Sequence, residues 1–129
     1  MMRFLHTRIR VSDLERSVRF YTEHLGFVEV GRSTSPRGNQ LAFVRPKEGG
    51  PDLELTYFPG TGAFTFPEDI FHIALEVDDL DAEAARLAAA GIPLTDGPHR
   101  GSSGGAIAFI DDPDRYEIEL IQRAKRTAD

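Results

Sequence analysis

Hydrophobic and polar positions alternate with a period of two through Phe71–Asp79, FHIALEVDD, placing Ile73, Leu75 and Val77 on one side of an extended strand. His72, Ala74 and Glu76 fall on the other side. The same order of residues occurs earlier in the chain: LHTRIRVSDLERSVRFYTEHLGF and FHIALEVDDLDAEAARLAAAGIP begin at Leu5 and Phe71, 66 residues apart. Each runs through an apolar residue, a histidine, an alternating strand, an Asp-Leu step, an amphipathic helix and a glycine. A fixed internal period of this kind is the mark of a duplicated supersecondary unit.

The first predicted helix starts at SDLE, where Ser12 and Glu15 have capping-box spacing. It presents Leu14, Val18, Tyr21 and Leu25 on one face and stops at Gly26. In the second helix Asp79 or Asp81 is the cap, Leu80, Ala84 and Leu87 form the inward stripe, and Gly91 followed by Pro93 ends it. Short strand patterns follow each helix. In the first half these are FVEVGR, QLAFVRP and DLELTYF, and in the second IPLTD, GAIAFID and YEIELIQ, with turns at KEGGPD and DDPDR. Each half therefore reads β-α-β-β-β, and the fold class is α+β. The expected organisation is one domain, 1–129, made of two repeats at about 1–58 and 70–124. A linker, YFPGTGAFTFPED, joins them across the surface.

Hydrophobic residues make up 40% of the chain, which is ordinary for a packed domain and argues against disorder. Fifteen basic against 21 acidic residues leave a net charge of −6 with the basic residues scattered, so no positive stripe suited to a phosphate backbone is present. The absence of cysteine excludes disulfides, thiolate metal sites and a cysteine nucleophile. The N-terminal MMRFLHTRIRV interrupts its apolar residues with Arg3, His6, Arg8 and Arg10, unlike a signal peptide, and no run approaches membrane-spanning length. These features point to a cytoplasmic protein with neither nucleic acid nor membrane as partner.

The chemistry lies in four residues on matching faces. In DLELTYF, Glu54 and Thr56 oppose Leu53 and Leu55; in YEIELIQ, Glu117 and Glu119 oppose Ile118 and Leu120. The repeat pairs His6 with Glu54 and His72 with Glu119, at separations of 48 and 47 residues. Any one of these four alone reads as a solvated side chain, since glutamates on the wet face of a strand are ordinary. Their repetition in type, strand position and spacing shifts the balance. Two neutral imidazoles and two carboxylates sum to −2, which a divalent cation cancels and which would otherwise suffer repulsion and desolvation in a cleft. Nitrogen and oxygen donors without thiolate suit Ni²⁺, Co²⁺ or Zn²⁺, with Fe²⁺ and Mn²⁺ also open. His24 reads as a surface helix residue and His99 as a loop residue.

The stretches FLHTRIRVSDLERSVRFYTEHLGF, LAFV, LELTY, HIALEVDD and AFIDDPDRYEIELI, in this order, strongly resemble glyoxalase I (lactoylglutathione lyase) of the vicinal oxygen chelate superfamily, over nearly the whole chain. The resemblance implies two βαβββ modules and one divalent metal ion per site held by His6, Glu54, His72 and Glu119. It further implies isomerisation of the hemithioacetal of methylglyoxal and glutathione to S-lactoylglutathione. Glu119 is then the leading base, with Glu54 handling the proton from the other side. It also implies a homodimer in which His6 and Glu54 of one chain meet His72 and Glu119 of the other. For substrate binding, Arg10 matches a glutathione-contacting arginine. Arg100, in a loop of differing length, falls near the place of a basic residue that meets a glutathione carboxylate. Two positions depart from the pattern. Phe58 stands where glyoxalase I has an asparagine, whose amide hydrogen bonds a ring cannot replace, and Arg115 stands where the DPDGY turn has glycine. The alternatives are another reaction of the superfamily (epimerase, thiol transferase, dioxygenase) or a metal-free drug-binding module of the bleomycin-resistance kind.

Overall fold

The structure is a computed structural model and describes residues 1–124. It divides into two compact units, Met1–Thr65 and Phe66 onward, each a four-stranded mixed sheet with helix on one face.

In the first unit, β1 (His6–Arg10) leads into α1 (Leu14–Arg19), a π-helical turn (Phe20–His24), then β2 (Val28–Thr34), β3 (Gln40–Arg45) and β4 (Asp52–Tyr57). The sheet order is β1-β4-β3-β2, with β1 parallel to β4 and the other neighbours antiparallel. A parallel neighbour needs a long crossover, and the helix and two intervening strands supply it. The core is built from one face of the alternation: Ile9, Val11, Leu53, Leu55, Ala42 and Val44 are buried against Leu14, Val18 and Tyr21 of the helical segment. Truncating a fully buried residue such as Leu55 to alanine would cost roughly 2–5 kcal/mol.

The helix cap differs from the expectation. Asp13, not Ser12, is the N-cap, its side chain accepting from the Arg16 N–H at 3.0 Å. Ser12 accepts instead from the Arg16 guanidinium, and Glu15 turns away to Arg32, so no capping box forms. Leu25 is only half-buried because the π-helical turn displaces the register after Arg19, bringing Phe20 and Phe27 into the core around Tyr21. Gly26, at φ +75°, then ends the segment.

The second unit repeats the plan: β5 (His72–Glu76), α2 (Leu80–Ala89), β6 (Asp96–Arg100), β7 (Ala106–Asp111) and β8 (Glu117–Gln122), in order β5-β8-β7-β6 with β5 parallel to β8. Asp79 caps α2 by accepting from the Ala82 N–H, and Leu80 and Leu87 are buried while Ala84 is half-buried. The expected strand IPLTD is displaced. Residues 92–94 form the connection, and β6 begins at Asp96. Ile92 and Leu94, which gave the apolar pattern, are half-buried in that connection. The real strand is a polar edge strand held by backbone pairing to β7, with a bulge between Asp96 and His99. Gly97 in that bulge has φ +85°, and an added Cβ would lie 2.8 Å from the Ile107 carbonyl oxygen, so only glycine fits. The DDPDR turn forms as expected, with buried Asp112 accepting from the backbone N–H groups of Asp114 and Tyr116.

Candidate metal and substrate site

Register explains the matched spacing. In the parallel β1–β4 pair His6 lies opposite Asp52, so Glu54 is two residues further on; in β5–β8 His72 lies opposite Glu117, and Glu119 is again two residues further on. Each unit thus sets a histidine and a glutamate on the same diagonal of a parallel ladder, side chains on one face. His6 Nε2 is 3.5 Å from Glu54 Oε1, and His72 Nε2 is 3.2 Å from Glu119 Oε1. An aromatic edge stands beside each imidazole, Phe43 at 5.6 Å and Phe109 at 6.1 Å between centroids. Among the described residues no group of three or more His, Asp or Glu gathers in a form that could hold a cation; each unit assembles a pair.

The two carboxylates have different surroundings. Glu54 is 3% exposed. Burial alone would raise its pKa, but hydrogen bonds from Thr56 and Arg8, with the charges of Arg8 and His6, outweigh it and hold the carboxyl below its ordinary value. Thr56 Oγ1 donates to Oε2 at 2.7 Å, and Arg8 Nε donates to the same oxygen. Glu119 is half-buried and faces His72.

Arg8 and Thr56 were not singled out by sequence reasoning, although the signal was present. Arg8 shares the period-two face of β1 with His6 and Arg10, and Thr56 shares that of Glu54. The register places Arg8 directly opposite Glu54. The positions opposite Glu119 and two beyond it carry Ala74 and Ile121, so the second unit has no such support.

Of the expected substrate residues, Arg10 and Phe58 meet. The Arg10 guanidinium carbon is 5.7 Å from the Phe58 ring centroid and 4.9 Å from that of Phe64, while Arg8 lies 6.0 Å from Phe58. The linker phenylalanine Phe64 therefore packs on its own unit, as Phe66 does on Tyr116 in the second. Arg100 is not in a loop: it is the last residue of β6, its guanidinium 2.5 Å from Asp81 on α2. His99 is on the same strand, 2.9 Å from Asp96. A cleft of about 510 Å³ opens beside His6, bounded by Phe4, Leu5, Arg45, Pro51 and Asp52.

A repeated βαβββ unit with a His–Glu diagonal on each sheet defines the paired-module fold that the sequence predicts. Residues 3–120 match the model of the Glyoxalase/Bleomycin resistance protein/Dioxygenase superfamily, and the chain belongs to it. The expectation of a lactoylglutathione lyase-like enzyme is likewise borne out by its relatives. The chain is 39% identical to the lactoylglutathione lyase of Haemophilus influenzae, spanning 94% of this chain and 93% of that one. It is 41% identical to that of Salmonella typhimurium with the same coverage. Among solved structures, the trypanothione-dependent glyoxalase I of Leishmania major is similar at TM-score 0.80 and 37% identity, covering 95% of this chain and 87% of that one. An antibiotic binding protein from Streptomyces sp. CB03234 is similar at TM-score 0.69 and 31% identity, covering 95% and 96%. Among the described residues no helix is long and apolar enough to cross a membrane.

Proposed function

We propose that the protein is a metal-dependent glyoxalase I that converts the hemithioacetal of a 2-oxoaldehyde, methylglyoxal in the first instance, and a thiol to the 2-hydroxyacyl thioester. The observation that carries this reading is the His–Glu diagonal built twice in one register. The donors fit a divalent cation of the Ni²⁺, Co²⁺ or Zn²⁺ kind: two imidazole nitrogens and two carboxylate oxygens without thiolate. His6, Glu54, His72 and Glu119 would hold it. When bound, the cation supplies Lewis-acid stabilisation of negative charge developing on the substrate oxygens.

The remaining chemistry belongs to the chain. Glu119, loosely held, removes the proton from the carbon that bears sulfur and returns one to the neighbouring carbon, a net isomerisation without redox change. Glu54 faces the reacting carbons from the other side, available to handle the proton there. Arg10, steadied by Phe58 and Phe64, meets a carboxylate of the thiol carrier, and Arg100 meets a second. Phe58 offers a ring in place of an amide, so the thiol need not be glutathione; the Leishmania relative is itself named for a different one.

Both repeats act as one domain, 1–129, in a cytoplasmic homodimer, with the first unit of one chain facing the second unit of its partner. Large apolar residues stand exposed just ahead of each histidine strand, Phe4 and Leu5 before His6 and Ile70 before His72, which suits burial between subunits. Co-expressing a His6→Ala chain with a Glu119→Ala chain tests the arrangement. Both lesions then fall in one site of the heterodimer, and about half the wild-type activity per heterodimer should return if sites act independently.

The reading as a whole is tested by elemental analysis of the purified protein coupled to thioester formation from methylglyoxal and several thiols. Metal-dependent thioester formation is expected. The Streptomyces relative favours a second reading, a ligand-binding module without catalysis, and full retention of both His–Glu pairs weighs against it. Absence of thioester formation with every thiol tested, metal being present, would decide for that second reading.

A further inference from the structure

Summing the four ligands alone gives −2, but the structure adds a third charged group to the two carboxylates. Arg8 sits directly across the ladder from Glu54, and its Nε donates to Oε2, the oxygen that also accepts from Thr56 at 2.7 Å. The other oxygen, Oε1, faces the imidazole of His6 at 3.5 Å. One carboxylate oxygen is thus engaged within the chain, and one is left toward the histidine. We propose that Arg8 is a built-in counter-cation of Glu54: it stands in for the metal while the site is empty and lowers the site's affinity once the metal competes. This rests on the reading of His6 and Glu54 as half of a metal site.

Three physical arguments set the direction. First, neutral imidazoles with two carboxylates and one guanidinium sum to −1 rather than −2, so the attraction for a divalent cation is weaker. Second, with Oε2 taken by two donors, Glu54 offers a metal one oxygen and not a bidentate face. Third, a carboxylate 3% exposed is costly without a positive partner. Arg8 supplies that partner before any metal arrives, stabilising the metal-free state, and by linkage whatever stabilises that state opposes binding. The opposite possibility is that Arg8 merely orients Glu54, as an outer partner that raises affinity. The second unit shows that an ion pair is not needed to set the geometry, since His72 and Glu119 reach 3.2 Å with Ala74 in the place of Arg8.

The functional consequence is that the loaded site keeps a charge of +1, and so favours an anionic oxygen more than a neutral site would. Arg8 is on this view a positioning and tuning residue that acts through Glu54.

The test compares wild type, Arg8→Met, Arg8→Lys and Arg32→Met. The last removes the same charge from an exposed pair with Glu15 and Glu29, away from the site. Affinity for Co²⁺ and Zn²⁺ is measured by chelator competition, with the Co²⁺ visible spectrum reporting coordination and thermal melts run with and without metal. Arg8→Met is expected to melt lower without metal, to bind metal about tenfold or more tightly, and to gain more in melting temperature on binding. Arg8→Lys should fall between it and wild type, and Arg32→Met should bind metal as wild type does. Equal or weaker metal binding by Arg8→Met, with wild type loading normally, overturns this inference alone. Failure of every variant to take up metal overturns the metal centre and this inference with it.

Discussion

The two units share a ladder and differ in what surrounds it. Beside His6 the first unit places Arg8 and Arg10 on the strand face, where the second unit, beside His72, places Ala74 and Glu76. At the position across the ladder from each histidine, the first unit pairs Asp52 with Arg45 at 2.6 Å, and the second sets Glu117 opposite Asp111, two acids. Glu54 is buried and bound by Arg8 and Thr56; Glu119 has neither support. Duplication preserved the register because a one-residue slip would turn every side chain to the other face. The charges around it differ between the units because they lie on the face of each sheet opposite the apolar one. The first pair is positively flanked and the second is not, which suits the proposed division of labour between an anchoring Glu54 and a proton-moving Glu119.

The largest expected effect comes from the less supported half. Glu119→Gln keeps the shape and removes base and ligand charge together, and thioester formation should fall by roughly three orders of magnitude or more. Assayed in parallel, Glu54→Gln should lose metal before it loses chemistry. A Glu119→Gln enzyme with near-normal turnover would falsify the assignment of the base. A sharper way to probe the contrast is to copy the first unit into the second. Ala74→Arg sets a guanidinium opposite Glu119 as Arg8 is opposite Glu54; metal affinity should weaken by the same argument, and at saturating metal kcat should still drop about tenfold or more. Unchanged kcat would mean that freedom of Glu119 has no part in turnover.

Smaller effects are expected where substrate is recognised. With Phe58 beneath Arg10, glutathione hemithioacetal should show a high KM and another low-molecular-weight thiol should serve better. Phe58→Asn should lower the glutathione KM about threefold to tenfold, since an amide restores hydrogen bonds that a ring lacks. Tight saturation of the unmodified enzyme by glutathione would refute this. The smallest effect concerns Asp111. Burial raises its pKa, with Arg115 pulling the other way. Its contribution to stability is therefore fully present below the ordinary aspartate range and is lost as pH rises through the raised folded value, so the ionised group weighs against the fold at neutral pH. Asp111→Asn should be slightly more stable near neutrality, by about 0.5 kcal/mol or less given its exposure to screening solvent. The gain should vanish in acid, as denaturant melts at several pH values would show.

Legibility in the sequence followed the same divide between core and surroundings. The repeat, both helices and five of the six strands that follow them were visible because apolar periodicity reports which face is buried, and that alone brought each histidine to its glutamate. The edge strand Asp96–Arg100 was not, since every residue of it is exposed and backbone pairing to β7 holds it without any apolar signal. The choice of Asp13 over Ser12 as cap was invisible because both residue types cap well and differ here by one position. Nothing in FYTEH announces a π-helical turn; packing of Phe20 and Phe27 around Tyr21 selects it. Arg8 was missed for another reason: pattern reading rewards repetition, and Arg8 is a position where the repeats disagree.

The packing of the aromatic rings also has an optical consequence. The chain has no tryptophan and only three tyrosines. Tyr21 is fully enclosed in the first unit, with Phe20 edge-on at 5.2 Å and Phe27 at 5.7 Å. Tyr116 lies in the second, stacked on Phe66 at 4.7 Å with an interplanar angle of 13°. Near-ultraviolet circular dichroism and tyrosine emission of this protein therefore draw on Tyr21 and Tyr57 in the first unit and on Tyr116 in the second. Single Tyr→Phe replacements assign each signal, so the melting of one unit can be watched independently of the other with no label attached.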